Sequence, residues 1–180
     1  MLAVDEVRSR DGRKESVLVK TLLRTTSVLR RVAVVLLCFA GVAAAQAPQE
    51  HVHTMAPLVM PFDVAKTLHV FRMTDNGGIQ RVVARDAADS GQIALIRSHL
   101  QAEAKRFQHG DYSDPASLHG ATMPGLAELK AGAMRIKVTY ANLRDGGQLV
   151  FATRDGHLVT AIHRWFGAQL SEHGADANAE

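Results

Sequence analysis

KTLHVFRMTDNGGIQRVVARD (residues 66–86) and AMRIKVTYANLRDGGQLVFATRD (residues 133–155) decide the fold. Each holds two strand-like runs joined at a Gly-Gly turn and closed by Arg-Asp. In the second, Met134, Ile136, Val138 and Tyr140 alternate with polar neighbours, so they share one face of a strand. DNGG (75–78) and DGG (145–147) carry the chemistry of hairpin turns. A helical pattern follows each Arg-Asp. Asp89 or Ser90 caps the first helix, which runs to about Gln108 with Ile93, Ile96, Leu100, Ala104 and Phe107 on one stripe. Asp155 caps the second, which runs to about His173 with Leu158, Val159, Ile162, Trp165 and Phe166 on its face.

The two halves echo each other. Gly77-Gly78 and Arg85-Asp86 recur 69 residues later as Gly146-Gly147 and Arg154-Asp155, and His99 and His109-Gly110 recur 64 residues later as His163 and His173-Gly174. This predicts a duplicated ββα unit. Between the halves, 109–125 reads as a long loop, and Pro124 opens a short helix, GLAELKAG, that ends at Gly132. The expected fold class is α+β: two ββα units forming a four-stranded antiparallel sheet with helices on one face. One domain over 63–175 is expected, with 176–180 as a disordered tail.

The N-terminal part reads differently. Arg24, Arg30 and Arg31 precede VAVVLLCFAGVAAA (32–45), fourteen apolar or small residues. That is too short to span a bilayer core of ~30 Å as a helix. A basic flank, a short apolar centre and the Ala43-x-Ala45 exit together predict a secretory signal over 1–45 with cleavage before Gln46. The four acids in 1–16 suit no signal, so translation is expected to start later, near Val17 or Val19. The expected location is periplasmic or secreted, with no stable membrane association after cleavage.

Charge supports the division. Of 21 Lys/Arg and 18 Asp/Glu, residues 1–45 hold eight and four, leaving thirteen and fourteen, a net of −1, for 46–180. A near-neutral mature chain lacks the basic face a nucleic-acid partner requires. Its one cysteine, Cys38, lies in the leader, so neither disulfides nor thiolate sites are available after export.

All nine histidines and five of the six methionines follow residue 50. Without thiolate, imidazole and thioether are the soft and borderline ligands left, a set that suits copper. EHVHTMAPLVM (50–60) sits in a Pro-containing stretch, 46–62, that reads as an extended, mobile arm. Alternate residues of an extended chain share a side, so His51, His53 and Met55 would present ligands together. In HGATMPG (119–125), His119 and Met123 flank a turn. His69 aligns with Val138 and is expected to point inward, whereas His99 and His163 fall at the margins of their helix stripes. His109 and His173 fall at helix C-termini, where the dipole favours a cation. The expected metal ligands are His69, His99, His119, Met123, His163 and His173 in the domain, with a weaker arm site at His51, His53 and Met55. Copper is the expected ion. Zinc and non-covalent haem are alternatives, and no C-x-x-C-H for covalent haem attachment is present. A binding or interaction domain without metal is a second reading. A small enzyme using a His general base, such as His119 with Asp111 or Asp114, is a third.

PFDVAKTLHVF, IALIRSHL, GDYSDPASLHGATMPGL and HRWFGAQLSEHG, spread over residues 61–175, resemble a family of small exported bacterial proteins often labelled aspartate carbamoyltransferase. The label implies carbamoyl transfer from carbamoyl phosphate. That chemistry uses a Ser-Thr-Arg-Thr phosphate motif at a helix N-terminus, which residues 46–180 do not contain. G-x-S-x-G, phosphate-loop and H-E-x-x-H patterns are also absent.

Overall fold

In the computed structural model, residues 48–180 are described; the expected signal over 1–45 lies outside them. Residues 48–55 are helical (α1). Strands β1 (Thr67–Thr74) and β2 (Gly77–Ala84) form the first hairpin, followed by α2 (Ser90–Gln108), α3 (Ser113–His119) and α4 (Leu126–Gly132). Strands β3 (Lys137–Leu143) and β4 (Gly146–Ala152) form the second hairpin, followed by α5 (Gly156–His173) and a short β5 (Ala177–Ala179). The fold is α+β as expected, and both hairpins, both long helices and both Asp caps fall where the sequence placed them.

The sheet differs from expectation. It has five strands in the order β3-β4-β2-β1-β5 and is mixed, because β5 pairs parallel to β1. Residues 176–180 are therefore not a loose tail. His69 lies opposite Ala177, and Glu180 N–H donates to Phe71 O at 3.0 Å. A free β1 edge offers unpaired amides and carbonyls, and Ala-Asn-Ala satisfies them through backbone alone, so no strand propensity marks it in the sequence.

The duplication is visible in the β2–β4 register. Gly77 faces Ala152, Gly146 faces Val83, and Gln80 faces Leu149 at the centre. A shift of 69 residues turns each pair into another pair, which is a local twofold axis through the sheet. A Cβ on Gly77 would lie 2.0 Å from Phe151 O, and one on Gly146 the same 2.0 Å from Val82 O. Both positions must be glycine for the hairpins to approach, and Gly77 also has a φ of +145°.

The helices follow the same axis at an offset of 66, not 64. The caps Asp89 and Asp155 accept from Gln92 N and His157 N. Arg97 donates to Leu143 O at 2.5 Å and Gly146 O at 3.1 Å, and His163 Nε2 donates to Thr74 O at 3.0 Å and Gly77 O at 2.9 Å. These carbonyls occupy equivalent places on the two hairpin turns. His163 is thus a turn clamp matched by Arg97, which corrects the expected pairing of His163 with His99. Each long helix lies across the other half's hairpin: α2 on β3 and β4, α5 on β2 and β1.

Three further expectations are corrected. Residues 48–62 are not an extended arm. Val52 and Ala56, one helical turn apart, are buried, and Met55, Val59 and Met60 pack partly against the core. The loop expected over 109–125 contains α3, with Pro115 tolerated in its first turn and Asp111 accepting from Ser113 N and Oγ. Met134 is 88% exposed in a turn before β3, so the alternating face starts at Ile136. No helix among the described residues is long and apolar enough to cross a membrane.

Candidate functional site

The axis places a partly enclosed cavity of about 40 Å³ between α2, α5 and the centre of the sheet. Its floor is Gln80 of β2 and Leu149 of β4, the central pair of the register. From α2 come His99, Leu100, Glu103 and Phe107, and from α5 Trp165 and Gln169; Val59, Met60, Asp114, Pro115, Leu118 and His119 complete the wall. His99 and Trp165 are equivalent at the offset of 66, as are Glu103 and Gln169. Each helix therefore turns an i, i+4 pair toward the same space. Because Arg97 has taken the turn-clamping role, His99 is released to line it.

The lining is polar and incompletely paired. Gln80 Oε1, Trp165 Nε1 and Gln169 Nε2 are buried and have no hydrogen-bond partner among the described residues. Buried polar atoms in native structures are normally satisfied, and each orphan costs roughly 1–3 kcal/mol. Three on the walls of one cavity make it a functional candidate.

Glu103 is the titratable member. It is 4% exposed. Burial, then the Asp114 carboxyl that shares a hydrogen bond with it, push its acid up to about 8. Arg106 holds Asp114 at 2.5 Å but stands 3.5 Å from Glu103, so the proton of this carboxyl pair sits on Glu103 at neutral pH. His99 is pushed below its ordinary value by burial and by Arg106, against an opposing pull from Asp114. Glu103, Gln80 and Gln169 are absent from the sequence-derived site. Their signal is a polar residue inside an otherwise apolar helix stripe or strand face, repeated at an offset of 66 for Glu103 and Gln169 but replaced by Leu149 at the strand position equivalent to Gln80.

The expected metal ligands distribute as follows. His69, His119 and His173 come together: His173 stacks on His69 with ring centroids 4.5 Å apart at 29°, and lies against His119 at 5.2 Å with the rings tilted by 60°. His69 is 1% exposed, so its inward orientation is as expected, and His173 is fully buried. His173 caps no helix end with charge. Burial, then the neighbouring His69 and His119, hold it well below its ordinary value, and burial first, then His119, takes His69 down to about 4. His69 Nδ1 and both nitrogens of His173 have no partner among the described residues. His119 donates from Nδ1 to Glu172 at 2.7 Å. Its carboxylate partner is therefore Glu172, not Asp111 or Asp114. His99 meets Phe62 edge-on at 5.5 Å, and Phe62 in turn lies 6.3 Å from His69.

The remaining ligands are occupied elsewhere. His163 clamps its turn, and Met123 is buried in the core. On α1 the helical twist parts the expected trio. His51 and Met55 share a face, whereas His53 turns away and donates to Asp176 at 2.5 Å. Gln49 and Arg85 also donate to Asp176, at 2.9 and 2.8 Å. Burial raises this carboxyl, but the three bonds outweigh it and leave Asp176 below the usual carboxylate range. Among the described residues no three His, Cys, Asp or Glu side chains are arranged to hold a metal ion. His69 and His173 lie face to face, which turns their ring nitrogens away from a shared centre, and His119 Nδ1 is taken by Glu172.

The cavity and the histidine cluster are contiguous, because His119 belongs to both. Comparison with family models, with curated proteins and with solved structures returns no match for this chain.

Proposed function

We propose that the protein is a binding domain for a small molecule held in the cavity on the twofold axis. The observation that carries this is the set of three orphaned polar atoms, on Gln80, Trp165 and Gln169. A cavity serving only packing would be lined by apolar groups, since an unpaired amide there lowers stability for no return. Size limits the occupant. The cavity is small, about 40 Å³, which suits a small molecule or ordered water. Export, proposed from the basic flank and apolar run of 24–45, would place this binding outside the cytoplasm.

A functional orphan predicts a stability gain on removal. Gln169→Met keeps volume and shape but removes the amide, and should stabilise the ligand-free protein by about 1–2 kcal/mol. For a domain of this size that is a rise of roughly 3–6 °C in thermal denaturation. A fall of similar size would show that the fold already satisfies Gln169 and would remove the ligand reading.

A second reading is favoured by the three partnerless imidazole nitrogens of His69 and His173. The depressed basicity of both rings keeps them neutral and competent as ligands near neutral pH. We propose copper as the ion, with at least one ring leaving the stack to bind it. Calorimetric titration with Cu(I) and Cu(II) should show micromolar binding that is lost in His173→Phe and retained in His51→Ala. Binding absent from the wild type, or unchanged in His173→Phe, ends the metal reading.

A further inference from the structure

We infer that the cavity occupant is a planar, uncharged carbonyl compound bearing N–H groups, of the urea or primary-amide class. This rests on the ligand-binding reading above and specifies its chemistry. The two helices and the sheet supply complementary groups. Trp165 Nε1 and Gln169 Nε2, one turn apart on α5, are donors without partners, which a carbonyl oxygen with two lone pairs can satisfy together. Gln80 Oε1 on the floor is an acceptor without a partner, which an N–H satisfies. Glu103 faces the same space from α2 with its proton committed to Asp114. It therefore offers a carbonyl-like acceptor, as a glutamine would. Donors on one wall and acceptors on the others describe an amide, whose carbonyl oxygen and N–H groups lie in one plane and point to different edges of it.

Charge sharpens the class. The groups facing Glu103 are His99 and Arg106 on α2, Asp111 and Asp114 at the start of α3, and His119 at its end. Arg106 is spent on Asp114 at 2.5 Å, so a carboxylate ligand would find no cation of its own. A cationic ligand would have to expel the Glu103 proton. A neutral ligand incurs neither cost. The cavity of about 40 Å³ suits a small ligand, and one of four non-hydrogen atoms is held no tighter than ~50 µM and more commonly in the millimolar range.

Urea, acetate and guanidinium provide the test, because they share a planar four-atom frame and differ in charge. Trp165 is the only tryptophan in the chain, so its indole N–H gives a single resonance that reports from the cavity wall. With the full chain at pH 6.5, urea and acetamide should move that resonance saturably with millimolar affinity. Acetate and guanidinium should bind at least tenfold more weakly. Gln80→Leu should weaken urea about tenfold, whereas Glu103→Gln, which keeps the acceptor and the neutral charge, should bind urea within a factor of about two. Tighter binding of acetate or guanidinium than of urea would overturn the amide class while leaving the cavity as a ligand site. No saturable shift with any of the four probes at 50 mM would overturn both, leaving the cavity to water alone.

Discussion

Replacing Trp165 with Ala is expected to lower the melting temperature by roughly 10–20 °C. The side chain is 1% exposed and stands at the centre of an aromatic cluster. Phe107, Tyr112, Phe151 and Phe166 surround it at centroid distances of 5.8, 5.7, 5.5 and 5.6 Å, the first three edge-on. Edge-to-face pairs add to the area buried, and Phe107, Phe151 and Phe166 are each held by a helix or strand, which limits collapse into the void. Large aromatic truncations of this kind cost about 3–5 kcal/mol. At ~3–4 °C per kcal/mol for a domain of this size, the shift is unmistakable in a calorimeter. Trp165→Phe separates packing from hydrogen bonding: it should recover more than half of the lost stability while removing the Nε1 donor from the cavity. A shift below 5 °C for the alanine variant would mean that α5 does not close the core.

Trp165 also shows how much of the architecture is written locally. The hairpins, their Gly-Gly turns, the caps Asp89 and Asp155 and the two helix stripes depend on neighbours in sequence, and all can be read from it. Strand β5 depends on the open edge of β1, not on its own Ala-Asn-Ala, so nothing local announces it. Helix α1 is similar. Its Pro-containing flank reads as extended chain, and what makes it a helix is the burial of Val52 and Ala56 against the rest of the domain. The histidines drew attention to His69, His119 and His173, which do converge. His163 and Met123 carry the same letters but serve a turn and the core. The chemistry of a histidine lies in its partners, and those are long-range: Thr74 and Gly77 for His163, Glu172 for His119.

The repeat was legible as a pattern but misregistered, and the misregistration hid the site. Matching His99 to His163 gave both the same role. The hydrogen bonds match Arg97 to His163 and so pair His99 with Trp165 and Glu103 with Gln169. Once aligned on contacts, the duplication has diverged in one informative way. The axis runs through an interface where ordinary packing would put apolar residues, and Gln80, Glu103 and Gln169 stand there instead.

These buried groups make stability bell-shaped in pH, with a maximum near pH 6.5. For His69 the folded state resists protonation down to about 4, whereas an unfolded histidine titrates near 6.5. As pH falls between these values the unfolded chain binds a proton that the folded chain does not, so stability is lost on acidification at up to about 1.4 kcal/mol per pH unit, or about 3 kcal/mol in total. His173, held well below its ordinary value, adds a similar slope, and His99 and His119 add to it in the same direction. Glu103 acts oppositely. Folded, it keeps its proton up to about 8; unfolded, it ionises near 4.5, so stability falls as pH rises through that window. Below 6.5 several histidines outweigh one glutamate, and acid destabilises. Above 6.5 the histidines are neutral in both states, and Glu103 alone makes alkali destabilising until about pH 8. Below 3.8 the depressed Asp176 carboxyl adds a further acid loss. Melting temperatures from pH 4.5 to 9 should therefore peak near pH 6.5. His173→Phe should flatten the acid limb, and Glu103→Gln should remove the alkaline one while leaving the acid limb steeper than in the wild type. An acid limb unchanged in His173→Phe would show that the stacked rings already carry charge when folded. An alkaline limb that persists in Glu103→Gln would place the proton of the carboxyl pair somewhere other than on Glu103.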